Sequence, residues 1–235
     1  MTSSGRTAAL VPAAGRGERL GPGVPKALRL LGGQPMLVHA VLALASVVDL
    51  VVVAAPEESI DEVSSLFTEL EFGADIIVVA GGEERQDSVA RALISLPDDI
   101  DVVLVHDAAR PLVPSEVVTA VVTAVRAGHP VVIPALAVID TVKEVDDSDH
   151  VARTVDRSRL RSIQTPQGFQ RQVLQQAHAA ADLESPATDD AGLAEQLGIP
   201  VLVVPGHEEA FKVTRPIDIL LAESVLARRR SASGL

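Results

Sequence analysis

Cysteine, tryptophan and tyrosine are absent from this 235-residue chain, and phenylalanine occurs four times. Without cysteine there is no disulfide, no thiolate nucleophile and no Cys-ligated metal; this suits a reducing cytoplasm. So few aromatic rings count against a stacking platform for single-stranded nucleic acid and leave an aliphatic core of Ala, Val and Leu. Positive charge is scarce: Lys and Arg total 20 against 32 Asp and Glu, a formal net charge of −12. Binding to a nucleic-acid backbone is therefore disfavoured, and an anionic ligand has to meet a local basic pocket in an acidic protein. No apolar run is long enough to span a bilayer: PMLVHAVLALASVV (35–48) is too short, contains His39, and reads as a buried helix. The first apolar residues are broken by Pro12 and Gly15 too early for an export signal.

Against these absences stand runs rich in β-branched residues at 8–12, 49–55, 75–80, 101–105, 131–135 and 201–204. Most are continuous rather than alternating, as in strands covered on both faces. Helical patterns fall between and after them, at 35–47, 58–71, 85–96, 114–127, 170–182, 189–197 and 216–229. The alternation predicts βαβ units, a mostly parallel sheet and one domain over 1–235. Ligands of such sheets sit beyond the C-terminal strand ends. Residues 138–156 break the rhythm: two polar extended halves flank DDSD. They predict a hairpin projecting from the domain, either packed on a second copy of the chain or open to solvent. The tail RRRSASGL reads as a frayed helix end.

The densest chemical signal is VPAAGRGERLGPGVPKAL (11–28). A strand running into a loop poor in side chains lets backbone N–H groups approach a ligand closely. Arg16, Arg19 and Lys26 follow, and cations there suit a polyphosphate. The alternative is a Gly-rich turn carrying ordinary surface cations. The run is neither a Walker A loop nor a dinucleotide fingerprint, since Ala27 follows Lys26 and Leu20 stands where a third Gly would be needed. VLVHDAARPLV (103–113) delivers His106, Asp107 and Arg110 to the same sheet edge. Asp107 suits a hard cation such as Mg²⁺, or else caps a turn and pairs with Arg110; His106 reads as structural. GGEERQDSV (81–89) permits close backbone approach and offers Glu83 and Ser88 to a base or ribose, with Arg85 opening the next helix. FKVTRP (211–216) sets Lys212 between apolar neighbours. TVDRSRL, TPQGF and TDD contribute Arg157, Thr165 and Thr188, and TDD also suits a helix cap.

Taken in this order, VPAAGxGxR…PK, GGxxRxDSV, VHDAARP, DTVK, TVDR, TPQ, TDDA and KVTRPxD resemble the 2-C-methyl-D-erythritol 4-phosphate cytidylyltransferase family, from about Ala8 to Leu226. Each motif alone is modest; the ordered set is specific. The resemblance implies a Rossmann-like α/β nucleotidyltransferase domain with a mostly parallel twisted sheet, and a protruding β-arm at 138–156 that embraces the partner in a homodimer. It implies transfer of CMP from CTP to methylerythritol phosphate, with release of pyrophosphate and with Mg²⁺ or another divalent cation. It further implies that Ala13, Ala14 and Gly15 wrap the triphosphate, that Arg19 and Lys26 stabilise the α-phosphate, and that Gly82, Glu83 and Ser88 recognise cytosine. Asp107 would hold the metal. Arg110, Thr141, Thr165, Thr188 and Lys212 would surround the acceptor, with Arg157 crossing from the neighbouring subunit. Glu83 departs from the Asp common in the family, and Glu18 sits where a cation would be easier to explain. Ribitol 5-phosphate cytidylyltransferases share much of this order, and a non-catalytic nucleotide-binding module is a more distant alternative.

Overall fold

The structure, a computed structural model, describes residues 5–15, 25–68, 70–181 and 187–232. Its centre is one sheet. Strands β1 (Arg6–Pro12), β4 (Leu50–Ala55), β5 (Asp75–Ala80) and β6 (Ile100–Val105) run parallel in the order β6-β1-β4-β5. β7 (Val131–Ala137) and β12 (Val201–Pro205) form a second parallel pair. Between the two groups lie β10 (Arg161–Ile163) and β11 (Gln167–Gln170), one after the other along β7 and antiparallel to it, with β11 also pairing with β6. β2 (Leu30–Leu31) and β3 (Gln34–Pro35) make a small hairpin of their own. The parallel sheet was predicted; the antiparallel insertion was not.

Successive residues of each central strand face opposite layers. Ala9, Val11, Val51, Val53 and Leu104 pack with α1 (Met36–Ala45), α2 (Ile60–Thr68) and α4 (Ser115–Arg126). Ala8, Leu10, Val52, Val103 and Val105 pack with α3 (Arg85–Ile94), α5 (Arg171–Ala179) and α6 (Asp190–Gln196) on the other side. Both sets are buried, which is why the strands read as continuous apolar runs. Phe169 is fully buried in the second layer, and Phe67 meets Phe72 edge-on at 5.8 Å. α7 (Pro216–Ala232) covers the small hairpin through Ala222, Val225 and Leu226 against Leu31 and Met36. It continues through Arg228, Arg229 and Arg230 because each finds a partner: Glu209 for the first two, the Gly32 carbonyl for the third. No helix among the described residues is long and apolar enough to cross a membrane.

β8 (Val142–Val145) and β9 (Val151–Val155) pair antiparallel in a separate two-stranded sheet. Asp146 closes its turn by accepting from the backbone N–H groups of Ser148 and His150 at 2.9 and 3.0 Å. Ile139, Val145 and Val151 are exposed on or beside this ribbon.

Candidate active site

The C-terminal ends of β1, β5 and β6 open into three loops that converge on one cleft of about 210 Å³. Ala13, Ala14 and Gly15 line it from the first loop, Gly82, Glu83 and Glu84 from the second, and Asp107, Ala108 and Ala109 from the third. Lys26, Arg85, Ser88, Lys212 and Thr214 complete the wall. Ala13–Gly15 at the start of the Gly-rich run, the strand-end aspartate and both candidate lysines thus share one cavity. Arg16, Glu18 and Arg19 lie outside the described residues.

The second loop is held close to the first. A Cβ on Gly81 would come within 2.7 Å of the Ala14 side chain, and one on Gly82 within 2.2 Å of the Asp87 Cβ. Ser88 is buried; its hydroxyl accepts from the Gly82 N–H at 3.0 Å and donates to the Glu84 carbonyl at 3.1 Å. Ser88 therefore fixes the loop's shape from the cleft floor. The Glu84 N–H donates to the Asp87 carboxylate at 3.3 Å, stitching the loop to α3. Because the Asp87 Cβ cannot swing aside, Gly82→Ala is expected to cost about 1–3 kcal/mol by overpacking, read as a lower urea midpoint; an unchanged midpoint would place no constraint on the loop here.

Asp107 is the electrostatic hub. Its Oδ2 accepts from Lys212 Nζ at 2.8 Å and its Oδ1 from Arg85 Nε at 3.2 Å, with Arg110 Nε 3.8 Å from Oδ2. Burial opposes its charge, but Arg85 and Lys212 outweigh that and hold the carboxyl well below the usual carboxylate range. Each oxygen is paired with a cation but keeps a second lone pair, so a divalent ion would share Asp107 with Lys212 and Arg85. No group of three or more His, Cys, Asp or Glu able to hold a metal occurs among the described residues.

The lysine is held from behind. The Val213 N–H donates to the Ala109 carbonyl at 2.8 Å, and Asp218 accepts from the Thr214 N–H at 2.8 Å and the Arg215 N–H at 2.7 Å. Residues 212–215 are thereby tied both to the Asp107 loop and to the start of α7.

His106 is structural, as its sequence context suggested. It is fully buried. The Arg110 carbonyl can only accept, so Nε2 carries the proton and donates to it at 3.1 Å. Nδ1 then accepts from the Thr165 hydroxyl at 3.0 Å, and that hydroxyl accepts from the Asp107 N–H at 3.1 Å. Burial pushes the imidazole down to about 4. The unfolded imidazole titrates near 6.5, so between pH 6.5 and about 4 the unfolded chain takes up a proton that the folded one refuses. Stability therefore falls across that window, by roughly 3 kcal/mol from this group. Asp107 and Asp190, whose carboxyls are depressed when folded, continue the loss below it. Urea titrations from pH 7 to 4 should show the decline; a flat curve would contradict a buried neutral His106.

Other expected site residues fall outside the cleft lining. Thr165 is buried with its hydroxyl engaged as above. Arg110 donates to the Ala210 carbonyl at 2.7 Å and the Ile163 carbonyl at 3.2 Å, joining the end of β10 to the segment before Lys212. Thr188 is exposed, one residue before the Asp189 cap of α6. Thr141 and Arg157 are exposed at the root of the ribbon, where Arg157 donates to the Ile139 carbonyl. Arg85 is the residue that sequence reasoning undervalued, as the opener of a helix. Its position just after a strand and a Gly pair was the available signal.

Residues 7–228 match the IspD family, described as 2-C-methyl-D-erythritol 4-phosphate cytidylyltransferase. The enzyme of that name from Streptomyces coelicolor is 56% identical over 242 residues, covering 99% of this chain and 89% of its own length. Its counterpart from Frankia casuarinae is 58% identical, covering 96% and 83%. Among solved structures, 2-C-methyl-D-erythritol 4-phosphate cytidylyltransferase from Thermus thermophilus superimposes with a TM-score of 0.75 at 36% identity, over 93% of this chain and 97% of that one. The 4-diphosphocytidyl-2C-methyl-D-erythritol synthase of Anaerococcus prevotii reaches 0.81 at 27% identity, over 96% and 100%. With the motif order, the sheet and the cleft in agreement, this chain belongs to the 2-C-methyl-D-erythritol 4-phosphate cytidylyltransferase family.

Proposed function

We propose that this chain transfers CMP from CTP to 2-C-methyl-D-erythritol 4-phosphate, releasing pyrophosphate. The observation that carries the reading is the convergence of the Ala13–Gly15 loop, Lys26, Arg85 and Lys212 on one cleft. The acceptor's phosphate oxygen attacks the α-phosphorus of CTP, forming a new P–O bond as the bond to the pyrophosphate oxygen breaks. No general base is needed, because a phosphate monoester is already largely ionised near neutrality, with a second pKa of about 6. The barrier lies in bringing two anions into line, so positioning and charge neutralisation do the catalysis. Lys26 faces the triphosphate side and Lys212 the acceptor side of this transfer. The Gly82–Glu83 loop offers a carbonyl and a carboxylate to the exocyclic amine of cytosine, which uracil lacks.

The described lining alone does not supply enough positive charge. Lys26, Arg85 and Lys212 face Glu83, Glu84 and Asp107, a balanced set before a triphosphate arrives. The family resemblance supplies the balance: Arg19, and Arg157 from a second copy, would add their charge to it. Exposed Thr141 and Arg157 do not line their own chain's cleft, and the exposed Ile139, Val145 and Val151 give the ribbon an apolar surface that a partner would cover. Both features support a homodimer built through the 138–156 arm. A divalent cation would be held between the triphosphate and Asp107, the carboxylate being shared with Lys212 and Arg85, and no step here depends on it. The absence of cysteine suits a cytoplasmic enzyme.

The test is pyrophosphate release from CTP with methylerythritol phosphate, with ribitol 5-phosphate in a parallel arm and ATP and GTP as nucleotide controls. Release with CTP and methylerythritol phosphate alone is expected. Preference for ribitol 5-phosphate would move the chain to the sister activity, and no release with either would leave a binding module.

A further inference from the structure

Asp189 and Asp190 are neighbours in sequence with different tasks. Asp189 caps α6, accepting from the Gly192 N–H at 2.9 Å, and takes the Gln167 amide at 2.7 Å. Asp190 plays no part in the cap. It is 1% exposed and does not line the cleft. A carboxylate buried so completely is costly unless fully paired, and it is paired twice. His178 Nε2 donates to Oδ1 at 3.0 Å, and Arg85 Nη1 donates to Oδ2 at 2.7 Å. The other edge of the same guanidinium reaches Asp107 Oδ1 at 3.2 Å, and Asp107 Oδ2 holds Lys212 Nζ at 2.8 Å. A line of alternating charge thus runs from Asp190 on α6, through Arg85 and Asp107, to the Lys212 ammonium group in the cleft.

We propose that Asp190 is a positioning residue for the transfer reaction, acting through Arg85 and Asp107 to place the Lys212 ammonium. The guanidinium is a rigid planar fork, so fixing one edge on a buried carboxylate orients the other. The shorter of its two bonds is the one to Asp190, which makes the buried acid the anchor and Asp107 the positioned group. With Asp190 neutral, Arg85 is left with Asp107 as its sole carboxylate in this line. It then competes with Lys212 for that group and draws the carboxylate away from the lysine. The Lys212 ammonium loses its fixed place where the acceptor's charge must be met.

The inference rests on Lys212 acting in the transfer, and the experiment separates the two claims. Pyrophosphate release is measured for the parent, Asp190→Asn, Lys212→Ala and the double variant, with rates normalised to folded protein by circular dichroism. Asp190→Asn alone should lower kcat/KM by about ten- to a hundredfold, the scale of a misplacement of about 1 Å. In the Lys212→Ala background the same change should cost less than about twofold, because there is no ammonium left to place. An equal penalty in both backgrounds would mean that Asp190 only ties helices together, and would overturn the proposal; so would a single variant within twofold of the parent. Normal turnover by Lys212→Ala would instead remove the role of Lys212. Should Asp190→Asn not fold, Asp190→Glu carries the same cycle: it keeps the charge but moves the anchor of Arg85 by one methylene, and its penalty should likewise vanish without Lys212.

Discussion

Lys212→Ala should lower the turnover of CTP and methylerythritol phosphate by about 10²–10³, the usual cost of removing one preorganised charge donor, while leaving the fold intact. The fold survives for a local reason. The side chain of Lys212 is 40% exposed, so its ion pair with Asp107 is weakened by solvent and contributes at most about 1 kcal/mol. Asp107 keeps Arg85 and Arg110 beside it. Val213, buried and bonded to the Ala109 carbonyl, still docks the segment. Chemistry has no such reserve. Among the described cations of the lining, Arg85 is engaged by two carboxylates and Lys26 serves the triphosphate, so removing Lys212 takes from that lining the charge that meets the acceptor's phosphate. Lys212→Arg should recover only part of the rate, because a planar guanidinium does not place its charge where the ammonium sat. The checks are steady-state kcat and KM for both substrates with a thermal melt. Near-normal turnover by folded Lys212→Ala protein would remove the residue from the mechanism.

The sheet was legible where both faces are covered, because burial on two sides demands apolar residues at every position. β1, β4, β6 and β7 are such strands. β10 and β11 were not legible, because their sequence, RSIQTPQGFQ, is short and polar. Its polar groups are nevertheless satisfied inside the sheet. The Gln164 amide donates to the His207 carbonyl at 2.9 Å and accepts the His207 N–H at 3.0 Å, and Gln167 bonds Asp189 and the Ala191 N–H. These are side-chain substitutes for ladder bonds, and no hydrophobic pattern announces them. The candidate site divides in the same way. The Gly-rich loop, Asp107 and Lys212 could be read because each sits at a strand end or helix start with a local signature. The line His178–Asp190–Arg85–Asp107 could not, since Arg85 and Asp190 are 105 residues apart and meet only once α3 and α6 pack on the same face. The arginines at the end of α7 were misjudged for a related reason: Glu209 and the Gly32 carbonyl, which hold them, are remote in sequence.

Lys26→Ala should have an effect as large as that at Lys212, about 10²–10³, but expressed in a different constant. Lys26 opens a single 3-10 turn, Lys26–Leu28, preceded by Pro25, whose carbonyl accepts the Leu28 N–H at 2.9 Å. Ala27 is buried against the core, so the backbone of the turn is fixed from inside while the Lys26 side chain serves the cleft. Truncation to Ala therefore leaves the turn in place and removes the charge from the cleft. If that charge acts chiefly on the α-phosphate as its coordination crowds in the transition state, kcat falls while the KM for CTP changes little. If it served only to bind the triphosphate, KM would rise and kcat at saturation would hold. The expected result is the first, with kcat depressed at saturating CTP and methylerythritol phosphate, CTP binding by calorimetry within about tenfold of the parent, and partial recovery by Lys26→Arg. A variant that saturates only at much higher CTP but then turns over normally would reassign Lys26 to nucleotide capture. A variant normal in both constants would leave the α-phosphate to Arg19 alone.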